Sequence, residues 1–129
     1  MSTTEPKKIL IVEDNEDSAL SLKMLLEALG YAAAVVHDGE SAVLTAAQQL
    51  PDVILMDIGL PGISGYEAAR MIRSVDSGKQ ALIVALTGWG QEPDRRRSTE
   101  AGINHHLVKP LNLDRLKQIL APELVSDAG

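Results

Sequence analysis

Acidic, hydroxyl and basic side chains stand at the ends of the apolar runs in this 129-residue chain. Glu13 and Asp14 follow the first run, Asp57 closes the third, and Thr87 and Lys109 follow the last two. A carboxylate beside a cation and a hydroxyl can attack phosphorus and become an aspartyl phosphate. These residue types therefore indicate phosphoryl chemistry if the fold brings them together.

The elements that must position these residues follow an alternating pattern. Short apolar runs flanked by turn residues predict strands buried on both faces at residues 9–12, 53–56 and 81–86. Two further strands are predicted at residues 32–36 and 104–108. Helical patterns lie between the strands, at about residues 15–29, 40–50, 64–73 and 93–102, with a last helix between Asn112 and Pro122. Right-handed crossovers then require an α/β fold, a single doubly wound domain with a parallel five-stranded sheet and helices on both faces.

The domain is expected to cover residues 7–124, with tails at residues 1–6 and 125–129. The carboxyl ends of parallel strands meet at one edge of the sheet, so the five polar residues named above should share a crevice. Two carboxylates about 5 Å apart repel by roughly 3 kcal/mol at an effective dielectric near 20, and a single lysine leaves two negative charges uncompensated. Because all the available ligands are oxygens, Mg²⁺ is the cation that fits best, with Mn²⁺ as a substitute.

Composition bounds the class of protein. The net charge of −6 argues against nucleic acid as the main partner. The chain has no Cys, which excludes disulfides and thiolate metal sites and suits a reducing compartment. Apolar runs are at most six residues long and the N-terminus has no hydrophobic signal region, so neither a membrane span nor a secretion signal is predicted. A cytoplasmic location is expected.

Four motifs then identify a family resemblance. They are Ile-Leu-Ile-Val-Glu-Asp-Asn at residues 9–15, the stretch from Asp-Val-Ile-Leu-Met-Asp to Ser-Gly-Tyr-Glu at residues 52–67, Ala-Leu-Thr-Gly at 85–88 and Leu-Val-Lys-Pro at 107–110. In this order they resemble the response-regulator receiver domain of bacterial two-component signalling. The likeness covers about residues 7–121 and implies a flavodoxin-like sheet of order 2-1-3-4-5.

The resemblance implies a role for each residue of the crevice. Asp57 would accept a phosphoryl group from a histidine kinase or a histidine phosphotransfer protein. Mg²⁺ would be bound by Asp14, Asp57 and the backbone carbonyl of Gly59, with Glu13 nearby or acting through water. Lys109 would pair with the phosphoryl group. The domain would catalyse only its own phosphorylation and dephosphorylation.

The resemblance also implies a switch region. Thr87 would move towards the phosphoryl group and draw the loop that begins at Gly88 with it, and the peptide bond before Pro110 would be cis. Receivers usually have Phe or Tyr three residues before the site lysine, whereas this chain has His106. Trp89, like Gly59, lies at a position that in this family tunes how fast the phosphoryl group is lost.

Partners follow from the same likeness. An output protein would contact the fourth helix, fifth strand and fifth helix, and would not be nucleic acid, because three consecutive arginines at residues 95–97 of an acidic chain are usually a solvated face or a partner contact. Leu22 and Leu25 are predicted core residues, and exposed neighbours beside Ser18 and Ser21 would form the docking face for a kinase. His105 is interpreted as an ordinary strand residue.

Two other classes of function remain open. An aspartyl-phosphate phosphohydrolase usually needs a second acid two residues after the nucleophile, where this chain has Gly59. A pure binding module would be flavodoxin-like or a receiver fold without its chemistry, yet the first strand ends in acids rather than a phosphate loop. The chain is expected to be a free-standing regulator or a receiver excised from a hybrid histidine kinase.

Overall fold

The computed structural model describes residues 7–75, 81–88 and 94–121, and over these ranges five strands alternate with five helices. The strands are β1 (Lys8–Val12), β2 (Ala32–Val36), β3 (Val53–Asp57), β4 (Leu82–Thr87) and β5 (His105–Val108). The helices are α1 (Glu16–Ala28), α2 (Gly39–Gln49), α3 (Gly65–Ser74), α4 (Arg95–Ala101) and α5 (Leu113–Leu120). Among these described helices, none combines the length and apolar character needed to cross a membrane.

All five strands are parallel and form one sheet in the order β2-β1-β3-β4-β5, as predicted. The register pairs Val12 at the end of β1 with Met56 in β3, and Thr87 at the end of β4 with Val108 at the end of β5. These strands therefore end at nearly the same level. Residues that follow them lie side by side at the edge where open α/β sheets bind ligands.

Both faces of the sheet are buried, which explains the continuous apolar runs. Successive side chains of a strand point to opposite faces, so neighbours belong to different core layers. Leu10 and Ile54 lie in the layer covered by α2, α3 and α4. Ile9 and Leu55 lie in the layer covered by α1 and α5. The prediction of strands buried on both sides is confirmed for β1, β3 and β4, whereas the edge strands β2 and β5 are partly exposed.

Side-chain caps determine where most helices begin. Asn15 and Asn112 each accept a hydrogen bond from the backbone N–H three residues later, which starts α1 and α5. Ser64 and Glu67 form a capping box at the start of α3, each side chain accepting from the other residue's backbone N–H. This cap ends the loop that follows Asp57.

The structure corrects the predicted start of the fourth helix. It begins at Arg95, because the Asp94 side chain accepts a backbone N–H of the first turn and caps it. Pro93, the predicted first residue, lies outside the described residues. In α5, Leu116 is fully buried, whereas Leu113 in the first turn is exposed.

The connection from β3 to α3 is tight enough to fix the backbone of Asp57. The Gly65 N–H donates to the carbonyl oxygen of Ile58 at 3.1 Å. A Cβ at Gly65 would lie 2.8 Å from the backbone oxygen of Asp57 and 2.9 Å from the Cα of Ile58. Only glycine leaves room there, so the start of α3 packs directly against the main chain of the acid.

We expect Gly65→Ala to lower the free energy of unfolding by about 1–3 kcal/mol, because the added methyl group meets backbone that cannot give way. Gly59→Ala is the matched control, since its Cβ would find its nearest neighbour, the Asp57 Oδ1, at 3.7 Å. The control should be neutral or stabilising by up to about 1 kcal/mol. Urea denaturation measures both variants, and equal stability of the two would contradict this account of the connection.

Candidate active site

Three carboxylates meet at the carboxyl edge of the sheet. Glu13 and Asp14 follow β1 and Asp57 ends β3, and one oxygen from each lies within 4.8 Å of the others. Glu13 is 3% exposed, Asp57 is half-buried and Asp14 is exposed to solvent. The structure therefore brings together the three acids that the sequence placed in one crevice.

Lys109 links two of these acids. It follows β5, and its backbone N–H donates to the carbonyl oxygen of Thr87 at 2.8 Å, which ties it to the end of β4. Its ammonium donates to the Oδ2 of Asp57 at 3.0 Å and to the Oε1 of Glu13. Both bonds are charge-assisted and one partner is almost fully buried, so Lys109 is the main counter-ion of the cluster.

The charges of the site shift the pKa of Lys109. Burial on its own would lower the pKa of the ammonium, but the hydrogen bonds and charges of Glu13 and Asp57 outweigh burial and raise that pKa above 10.5. One cation faces three carboxylates, so the cluster as it stands carries excess negative charge. A divalent cation with oxygen ligands would remove this excess.

Gly59 supports Asp57 through its backbone. The Gly59 N–H donates to the Oδ1 of Asp57 at 2.8 Å, while the Oδ2 accepts from Lys109. Both oxygens of the carboxylate are therefore held, and the direction of the group is set. Gly59 is exposed and adds no side chain above the acid. The metal-binding role of its carbonyl stays a prediction.

The hydroxyl of Thr87 lies beneath the crevice. Thr87 is completely buried at the end of β4, and its Oγ1 donates to the carbonyl oxygen of Leu107 at 3.4 Å, which is long for a hydroxyl donor. Gly88 follows it and is half-buried, whereas Trp89 lies outside the described residues. The peptide bond between Lys109 and Pro110 is cis, as predicted.

His106 makes a polar contact where receivers usually have an aromatic ring. Its Nε2 lies 2.6 Å from the Oγ of Ser98, a residue of α4 that is 1% exposed. Burial lowers the pKa of His106 below 6.5, and the charges of Arg95 and His105 act in the same direction. A hydrogen bond therefore joins β5 to α4.

Sequence reasoning missed two residues of this region. Ser98 looks like an exposed helix residue among arginines and acids, and nothing in its neighbours signals that its hydroxyl is buried. His37 follows β2 and contacts the backbone oxygen of Glu13 through Nδ1 at 2.9 Å. It stands directly after a strand, like the residues that were singled out, so applying the same rule to β2 would have found it.

Comparison with known proteins identifies related chains. The family model described as the response regulator receiver domain matches residues 9–121. The polar-differentiation response regulator DivK of Brucella anthropi is 34% identical over 110 residues, which cover 85% of this chain and 89% of DivK. Two other curated relatives are longer, and the chain spans about half the length of each.

Solved structures extend the likeness to three dimensions. The receiver domain of the sensor histidine kinase PA1611 from Pseudomonas aeruginosa is 39% identical, with a TM-score of 0.81 over 91% of this chain and 96% of that one, and it has a magnesium ion coordinated in its active-site cleft. The receiver domain of Ssk1 from Saccharomyces cerevisiae, crystallised with the histidine phosphotransfer protein Ypd1, is 30% identical. Its TM-score is 0.79, over 93% of this chain and 90% of that chain.

We expect Lys109→Met to lower the free energy of unfolding by about 2–4 kcal/mol in metal-free protein, because it leaves the buried carboxylate of Glu13 without its cation. The double variant with Glu13→Gln should recover part of the loss, since a neutral amide is cheaper to bury than a charge. Lys23→Met removes only an exposed pair with Glu27 and should change stability by less than about 0.5 kcal/mol. Urea denaturation distinguishes these outcomes, and a loss in the double variant equal to that of Lys109→Met would contradict this account.

The lowered pKa of His106 has a predictable effect on stability. The His106 imidazole binds a proton more readily in the unfolded protein than in the folded one. Its contribution to the free energy of unfolding should therefore be fully present above pH 6.5 and decline as the pH falls below that value. His106→Gln should show a smaller decline between pH 7.5 and pH 5.5 in urea denaturation. His105→Gln removes another β5 imidazole and the smallest of the three causes of the lowered pKa but keeps the bond to Ser98, so it should retain more of the decline than His106→Gln. Equal declines in wild-type protein and His106→Gln would show that His106 does not carry the effect.

Proposed function

Because this chain belongs to the response regulator receiver domain family, we propose that it is a phosphoryl-accepting switch in which Asp57 takes a phosphoryl group from a phosphohistidine. Receiver domains of this family act as signalling elements rather than metabolic enzymes. The observation that carries the proposal is the contact between the Lys109 ammonium and Asp57 inside a cluster of three carboxylates. The Lys109 ammonium beside Asp57 can offset the negative charge of a phosphoryl group on that carboxylate.

The proposed step is an in-line transfer to Asp57. A carboxylate oxygen attacks phosphorus, an O–P bond forms as the P–N bond of the phosphohistidine breaks, and the imidazole leaves with the electron pair. The bonds from Gly59 and Lys109 hold the carboxylate in one direction, which reduces the entropy cost of reaching the attacking geometry. The ammonium of Lys109 would then turn from the acids towards the phosphoryl oxygens.

The residues present fit a bound Mg²⁺. The side-chain donors are all carboxylates, and together they carry more negative charge than Lys109 can balance. Asp14, Asp57 and the Gly59 carbonyl would hold the ion, with Glu13 nearby. When bound, the ion supplies positive charge to the phosphoryl oxygens. The magnesium ion in the similar receiver of PA1611 supports this assignment.

Thr87 is the proposed sensor of the phosphoryl group. Its hydroxyl has a long bond to the Leu107 oxygen, so it loses little by leaving that partner for a phosphoryl oxygen. Leu107 is next to His106, which is hydrogen-bonded to Ser98 in α4. A rearrangement at Thr87 would therefore reach α4 through β5, and the output protein would bind the face formed by α4, β5 and α5.

The phosphoryl donor would be a histidine kinase or a histidine phosphotransfer protein. The similar receiver of Ssk1 was crystallised with the phosphotransfer protein Ypd1, which supports a partner of this kind. The first helix offers a docking face beside Ser18 and Ser21, because Leu20 and Met24 are 55% and 61% exposed. Apolar residues exposed on one helix are what a helix bundle would bury.

Incubation with acetyl phosphate and Mg²⁺ tests the proposal. Intact mass spectrometry should show the gain of one phosphoryl group in wild-type protein and none in Asp57→Asn, because the amide is not a nucleophile. Asp52→Asn is the matched control. It changes an aspartate at the opposite end of β3, where the carboxylate accepts the backbone N–H of Lys8, and it should be phosphorylated like wild type.

Absence of a mass gain in wild-type protein, or an undiminished gain in Asp57→Asn, would overturn the assignment. Removal of Mg²⁺ with a chelator should abolish the mass gain in wild-type protein. Adding Mg²⁺ back should restore the mass gain.

A further inference from the structure

His37 is hydrogen-bonded to the backbone at the start of the acidic cluster. It directly follows β2, and its Nδ1 lies 2.9 Å from the carbonyl oxygen of Glu13. A carbonyl oxygen can only accept, so Nδ1 carries the proton and donates. The contact joins residues 24 positions apart and does not involve any carboxylate.

Every other polar group of Glu13 is already engaged. Its backbone N–H donates to the carbonyl oxygen of Val36 at 3.1 Å. One carboxylate oxygen accepts from Lys109, and the other accepts from the backbone N–H of Asn15 at 3.1 Å. His37 supplies the remaining bond, and it is the one that acts on the peptide group between Glu13 and Asp14.

Asp14 is the residue that this peptide group orients. The peptide is planar, so the direction of the Glu13 carbonyl also sets the direction of the Asp14 N–H and limits where the Asp14 side chain leaves the chain. The Asp14 carboxylate has no hydrogen bond to another described residue. It is nevertheless close to two other carboxylates, Glu13 and Asp57, which repel it. Among the contacts of the described residues, the restraint that bears on the direction of Asp14 is the one on its backbone.

We propose that His37 is a positioning residue that orients the peptide between Glu13 and Asp14, so that the Asp14 carboxylate is preset for a divalent cation. The proposal rests on the proposed function only in taking that cation to be Mg²⁺. His37 does not touch the cation or the phosphoryl group and acts through the Glu13 carbonyl. His37 should therefore affect the affinity for the ion and not the rate of phosphoryl transfer once the ion is bound.

Calorimetric titration of the metal-free protein with Mg²⁺ tests this role. His37→Ala should weaken Mg²⁺ binding about three- to tenfold, which corresponds to the loss of one ordinary hydrogen bond. His37→Asn keeps a side-chain N–H donor and should recover most of the affinity. His105→Ala is the matched control, since it removes a histidine of β5 and should bind Mg²⁺ like wild type.

A second set of measurements separates positioning from a merely structural role. In the acetyl phosphate reaction, His37→Ala should need a higher Mg²⁺ concentration for half-maximal rate but reach the wild-type rate at saturation. Its melting temperature without Mg²⁺ should stay within about 4 °C of wild type, because a single part-buried hydrogen bond from an exposed side chain contributes only about 1 kcal/mol to folding. Nitrogen-15 NMR of wild-type protein should show the His37 ring protonated on Nδ1.

Three results would overturn the proposal: unchanged Mg²⁺ affinity in His37→Ala, no recovery in His37→Asn, or a wild-type His37 protonated on Nε2 alone. The NMR result needs no variant and stands even if His37→Ala does not fold. Failure of the proposed function is distinguishable. If wild-type Asp57 is not phosphorylated while Mg²⁺ binding still depends on His37, then the switch is wrong and the positioning role stands.

Discussion

The parallel register of the sheet is the constraint on which the site depends. Because β1, β3, β4 and β5 end at nearly the same level, residues up to 96 positions apart, such as Glu13 and Lys109, reach one another across a single edge. A slip of one residue in any strand would turn its side chains to the opposite face. Both faces of the central strands are apolar, so what opposes such a slip is the fit of individual side chains in the two core layers. The tight turn at Gly65 fixes β3 further.

Much of this arrangement could be predicted from the sequence. The apolar runs indicate strands, the caps at Ser64 and Asn112 locate helix starts, and crossover handedness then places the strand ends together. The contacts of His37 and Ser98 could not be predicted in this way. They depend on how far one strand or helix is offset from its neighbour, and hydrophobic periodicity contains no information about that offset.

The contact between His106 and Ser98 joins β5 to α4 through a hydrogen bond and not through apolar packing. An apolar ring in this place could rotate between packed positions without losing a directional bond. The His106 ring is held by one hydrogen bond of 2.6 Å to a hydroxyl that is otherwise buried. Breaking that bond without a new partner would leave a buried hydroxyl unsatisfied, at a cost of about 1–3 kcal/mol. The hydrogen bond therefore resists rotation of the His106 ring away from α4.

The double contact of Lys109 has a consequence for the balance between resting and phosphorylated states. The ammonium already has two anionic partners, Glu13 and Asp57, before any phosphoryl group arrives. Phosphorylation would therefore exchange one anionic partner for another and would not create an ion pair from separated charges. In the proposed switch, an exchange of that kind keeps the free-energy gap between the two states small. A small gap is what allows a modest difference in partner affinity to decide which state is populated.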